Sequence, residues 1–116
     1  MPATPDPVVL GEFEAVVLMA VLRLLDRGDL AYGSTIRDEI AARANRRIAR
    51  GAVYVTLDRL EQKGLLASRL GGASRLRDNR PKRLFKVTPP GLRAVQQMVS
   101  LVNRMQEGLE PLLGER

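Results

Sequence analysis

The chain has 116 residues, 45% of them apolar, a net charge of +6, and neither cysteine nor histidine. That length supports one domain, and the two missing residue types exclude disulfides, thiol nucleophiles, zinc held by soft ligands and imidazole acid–base chemistry. The longest apolar run, residues 15–22, is far short of the roughly 20 residues a membrane span needs, and Met1-Pro2-Ala3-Thr4-Pro5-Asp6-Pro7 lacks the basic region of a signal peptide, so a cytoplasmic protein is expected.

Residues 1–9 read as a flexible, proline-punctuated N-terminal arm. The first helix is expected over residues 12–27. Glu12 and Glu14 suit the positive end of its dipole, Arg23 and Arg27 the negative end, and Gly28 stops it. Its middle, Ala15-Val16-Val17-Leu18-Met19-Ala20-Val21-Leu22, is apolar around nearly the whole circumference. A surface helix would show a polar face, so two buried faces are expected, one on the domain core and one on a second subunit. Phe13, Val16, Val17, Met19 and Ala20 are assigned to the second. The alternative, a helix sunk centrally in its own domain, has little room in so small a chain.

A second helix is expected over residues 34–45, capped by Ser34 or Gly33, with Ile36, Ile40 and Ala41 inward. Ile48-Ala49 would add a short extended piece. In the third helix, residues 51–64, Val53, Leu57, Leu60 and Gly64 recur at i, i+4, i+7 and i+11 and form the core stripe. The opposite face carries Ala52, Val55, Arg59 and Gln62, with Tyr54 and Thr56 on its flanks. It is small near the N-terminus, which permits close approach to a partner.

Residues 65–70 and 82–88 form the arms of a β-hairpin. The connection between them, residues 71–81, is crowded with arginine. A fourth helix begins after Thr88-Pro89-Pro90-Gly91, with Thr88 as cap and proline tolerated in the first turn, and Gly108 ends it. Leu92, Val95, Val99 and Val102 form one stripe along it; Met98, Leu101, Met105, Leu109 and Leu112 form another. One stripe suffices for the domain, and the second suits a symmetry mate. Met98, Leu101, Met105 and Leu109 are therefore assigned to a homodimer contact, without deciding which stripe faces the partner. The fold class is mainly α with a small β-hairpin: a winged helix-turn-helix over residues 10–90 and a C-terminal dimerisation helix and tail over residues 91–116.

Charge is unevenly placed. Residues 46–104 hold fourteen Lys/Arg against three Asp/Glu, whereas the segments on either side are net negative. Such asymmetry points to a polyanion, and a helix followed by a basic hairpin suits double-stranded DNA, the helix entering the major groove. Arg75, Arg77, Arg80 and Lys82 would neutralise phosphates, each adding about −0.9 to the slope of log affinity against log salt. Arg46, Arg47 and Arg50 would reach the backbone beside the third helix. Base reading falls to Arg59, Thr56, Val55 and Ala52, Arg59 competing with a local pair to Asp58 or Glu61; an arginine–guanine contact discriminates by about 1–3 kcal/mol. Four aromatics disfavour single-stranded RNA. A winged-helix module binding an acidic protein partner remains the alternative. No cluster of nucleophile, base and oxyanion donors is visible, nor a phosphate-cradling glycine loop, so neither enzyme activity nor a cofactor is expected.

These residues resemble the PadR family of bacterial transcriptional regulators, in its short form with one helix after the wing. Tyr32-Gly33-Ser34-Thr35-Ile36 is similar to the family's start of helix two. Gly51-Ala52-Val53-Tyr54, with Leu57, Arg59-Leu60-Glu61 and Gly64-Leu65, is similar to its recognition helix, and residues 80–91 to its wing strand and entry to the last helix. The resemblance covers roughly residues 10–107. It implies a homodimer joined through first and last helices, a pseudo-palindromic operator, usually repression, and DNA contact by Tyr54, whose hydroxyl suits a phosphate. Val53 and Val55 stand where the family commonly has Leu and Pro. Multidrug-sensing members stack flat ligands on tryptophan at the dimer centre. This chain has none, and only Phe13 offers a ring there, so the class of any small-molecule effector does not carry over.

Overall fold

Helix α1 (Glu12–Asp26) starts on an acidic turn, in which Glu14 accepts the Gly11 N–H at 2.9 Å. The computed structural model describes residues 9–45, 47–76 and 78–114. Residues 1–8 of the arm expected over 1–9, Arg46 and Arg77 lie outside the described residues, as does the side chain of Arg75. Helix α2 (Gly33–Ala44) begins earlier than expected, and its cap is Tyr32 rather than Ser34 or Gly33. The Thr35 hydroxyl explains this: it accepts the Tyr32 N–H at 3.0 Å and donates to the Leu30 carbonyl at 2.9 Å. Arg27, at the end of α1, and Arg43 both pair with Glu39, at 2.6 and 3.1 Å, tying α2 to α1.

Helix α3 (Arg50–Gln62) buries Val53, Leu57 and Leu60 completely. Gly64, expected in that stripe, lies beyond the helix and is exposed. The hairpin pairs β1 (Leu66–Gly71) with β2 (Lys82–Val87), antiparallel, from Leu66 opposite Val87 to Gly71 opposite Lys82. No strand forms at Ile48-Ala49. The hairpin is met instead by Ala31, between α1 and α2, whose carbonyl accepts the Phe85 N–H at 2.8 Å.

Helix α1 lies in the middle of this arrangement and touches α2, α3, β2 and α4. That position corrects the reading of its two faces. Val17 is 0% exposed and Ala20 is 3% exposed, so both belong to the chain's own core and present nothing to a second subunit. Phe13, Val16 and Met19 are half-buried at the edge of that core.

Helix α4 (Pro89–Gln106) is anchored at its first turn, as its sequence suggests. The Thr88 hydroxyl accepts the Gly91 N–H at 3.1 Å and donates to the Gly64 carbonyl at 2.6 Å. A Cβ on Gly91 would overlap the Leu65 carbonyl oxygen, so α4 approaches the α3–β1 connection as closely as only glycine allows. Gly91, Ala94 and Val95 are buried and Met98 half-buried. The packed row therefore takes one residue from each expected stripe and follows neither. Past Met98 the helix leaves the core. It breaks at Gly108, and a separate turn, α5 (Glu110–Leu113), follows, so Leu109 and Leu112 do not continue the α4 stripe.

Candidate nucleic-acid interface

One face of α3 is open. Gly51, Ala52, Val55, Arg59 and Gln62 are exposed, and Arg47 and Arg50 are exposed just before them. The spacing of Ala52, Val55, Arg59 and Gln62 places them along one helical line. At its N-terminal end this line carries no long side chain, so the helix axis can approach a groove floor closely. Thr56, expected to read bases, is only 5% exposed. It sits at i+3 from Val53 and beside Leu57 and Leu60 on the packed side, and the outward position is Val55, 56% exposed.

Tyr54 is 41% exposed, with its ring and hydroxyl lying across Gly33 at the start of α2; a Cβ on Gly33 would occupy the same space. This contact accounts physically for Gly33 in the motif noted in the sequence and leaves Tyr54 part-exposed beside the open face.

The acidic groups around α3 are engaged elsewhere. Glu14 holds Lys63 at 2.8 Å, and Asp58 and Glu61 hold Arg83 of β2. Arg59 thus does not form the local pair that its neighbours in sequence suggested. Arg47, Arg50 and Arg59 form no ion pair within 4 Å among the described residues. Burial alone would raise the Glu14 carboxyl, but the hydrogen bonds from Lys63 and the Gly11 N–H, with the charges of Lys63 and Arg59, hold it below its ordinary value.

In the wing connection, Asp78 organises the turn. Its carboxylate accepts Lys82 Nζ at 2.8 Å and the Arg80 N–H at 3.1 Å, which together depress its pKa. Lys82, expected on phosphates, is therefore engaged within the loop; Arg80 Nε lies 3.8 Å from the same carboxylate, with its side chain 78% exposed. Arg69 and Lys86, absent from the expected contact set, are also exposed. The register puts them on the hairpin face opposite Ser68 and Phe85. Arg83, Asp58, Glu61 and Ser68 were not assigned to the site, or to one another, from sequence either. The i, i+3 spacing places the two carboxylates on one flank of α3, and strand alternation places Arg83 with Phe85, but only the docked hairpin brings the two sets together.

The open helix thus lies between the start of α2 at one end and a basic hairpin at the other. Residues 21–97 match the family described as the transcriptional regulator PadR-like family. The chain belongs to that family. The PadR-like assignment makes it a DNA-binding transcriptional regulator, of a family that is typically non-enzymatic.

Solved structures agree on the fold. A PadR-like regulator from Bacillus cereus superposes with a TM-score of 0.71 at 15% identity, covering 90% of this chain and 93% of its own. A PadR family regulator from Eggerthella lenta is 26% identical, with a TM-score of 0.59 and coverage of 85% and 84%. A transcriptional regulator from Clostridium thermocellum gives 0.64 at 17% identity, covering 84% and 89%. No protein of curated function matches the sequence. Among the described residues no helix is long and apolar enough to cross a membrane, and no group of His, Cys, Asp or Glu is placed to hold a metal.

Proposed function

We propose that this PadR-like chain is a homodimeric repressor. Two copies would set their α3 helices into major-groove half-sites of a pseudo-palindromic operator, with the wings on flanking phosphates. The observation that carries the proposal is the small, open line of α3, edged by Arg47 and Arg50 and by the wing. Ala52, Val55 and Arg59 face the bases in this reading. Arg47, Arg50, Tyr54 and Arg80 contact the backbone, and Arg46, Arg75 and Arg77 join them by their place in the sequence.

The dimer reading rests on α4. Leu101 is 50% exposed and Met105 68% exposed, on a helix that has already left its own core; so much contiguous apolar surface suits an interface. Residues 10–90 then form the DNA-binding part and residues 91–116 the dimerisation part. Release by a small-molecule effector belongs to the same proposal. An apolar groove of about 590 Å³ beside Leu10, Met98 and Leu101 offers room for one under a second subunit.

The test is a gel shift on duplex DNA from the chain's own upstream region, with excess nonspecific competitor, joined to sedimentation analysis. Specific retention by a dimer is expected. Equal loss to any competitor, or a monomer at micromolar concentration, would defeat the proposal.

A further inference from the structure

The wing meets α3 through one guanidinium. Arg83 Nη1 donates to Asp58 Oδ1 at 2.8 Å, Nη2 donates to Glu61, and Nε donates to Ser68 Oγ at 3.3 Å. The Ser68 hydroxyl in turn donates to Glu61 Oε2 at 2.8 Å. The Arg83 guanidinium also lies 4.9 Å from the centre of the Phe85 ring. One planar group thereby joins β1, β2 and α3, using three donors in a fixed fork that a lysine cannot reproduce.

Stability accounts for only part of this arrangement. The Arg83 side chain is 43% exposed and that of Asp58 57% exposed, and ion pairs so open to solvent contribute little to folding. The core behind them is already complete, with Leu57, Leu60, Leu65 and Phe85 buried. What the cluster fixes is direction. A two-stranded ribbon is marginal by itself, and this one carries the exposed Arg80 near its tip. Its angle to α3 decides whether the tip and Val55 reach the same duplex.

The two carboxylates sharpen the point. Asp58 and Glu61 stand on the flank of the helix proposed to face DNA, where bare electrostatics would have them oppose a polyanion. Ser68 and Arg83, both from the hairpin, hold Glu61 in its charged form.

We propose that Arg83, Asp58 and Glu61 are positioning residues that set the wing at its DNA-binding angle, so that two acidic side chains promote DNA binding and Arg83 is not a phosphate contact. This rests on the interface proposed above. The test is fluorescence anisotropy of the full chain on its upstream duplex across a salt series. Asp58→Ala with Glu61→Ala removes two negative charges and frees a positive one, yet binding is expected to weaken about tenfold. Arg83→Met is expected to weaken binding similarly with the salt slope unchanged, Arg83→Lys to restore it only in part, and the triple variant to bind no worse than Arg83→Met alone. All variants should melt within a few degrees of the parent chain.

Unchanged or tighter binding by the double alanine variant overturns the proposal. So does a slope reduced by about 0.9 in Arg83→Met, the mark of a lost phosphate contact, and so does a variant unfolded at the assay temperature. Arg47→Ala with Arg50→Ala separates the two levels. If that variant leaves the slope untouched, the interface reading falls and the positioning role with it. If it lowers the slope while the double alanine variant binds normally, the positioning role alone falls.

Discussion

Helices α1 and α4 carry comparable runs of aliphatic residues and have different fates. Val17, Leu18 and Val21 of α1 are 0% exposed, whereas Leu101 and Met105 of α4 stand open. The difference lies in their neighbours. Helix α1 is enclosed by α2, α3, β2 and α4, whereas α4 is held through its first turns and then departs. Apolar content therefore states how much surface must be covered, and says nothing of what covers it.

Substitutions at the two helices sharpen this contrast. Val17→Asp places an unpaired charge in the α1 core. A loss above about 4 kcal/mol is expected, seen as a chain unfolded at room temperature in circular dichroism. A soluble, folded variant would place Val17 at a surface and revive its assignment to a dimer. Gly91→Ala strikes the α4 anchor, where the opposing atom is a backbone oxygen that cannot swing aside. A cost of about 1–3 kcal/mol by urea denaturation follows; a neutral result would mean that α4 is seated otherwise.

Glu14 is the polar exception in α1, 7% exposed and paired with Lys63. Its folded pKa lies below the ordinary 4.5, so its contribution is present above that pH and fades as pH falls through the folded value. Lys63 is 40% exposed, so solvent screens the pair and about 1 kcal/mol or less is at stake. Glu14→Gln should flatten that part of the acid limb of a pH–stability curve, and an unaltered limb would remove the pair from the account. Smallest for the chain's own fold is Leu101→Lys with Met105→Lys, expected within about 0.5 kcal/mol by denaturation of the monomer. The same pair should abolish dimers in sedimentation, and a persistent dimer would move the interface off α4.

Element types and ends were largely legible before the structure. Thr88 caps α4 and Gly28 follows α1, because caps and stops act over a few residues of chain. The packed faces of α2 and α3 followed from Ile36, Ile40, Val53, Leu57 and Leu60 at helical spacing. The candidate site was legible as a region and less so residue by residue. Thr56 turned inward because a flank position is assigned only when the neighbouring helices are in place. Lys82 was claimed by Asp78 within the wing, and Arg59 lost its acidic neighbours to a strand more than twenty residues further along.

The sequence by itself determined a helical chain with one basic hairpin, the order of its elements, and the family to which it belongs, because these depend on local periodicity, turn chemistry and motif. Tertiary structure alone decided that α1 is buried by its own chain, that Gly33 must leave space for Tyr54, and that Gly91 must admit the Leu65 carbonyl. It also decided that Asp58 and Glu61 belong to the wing. Each of these joins atoms distant along the chain, and steric exclusion and charge pairing depend on distance in space.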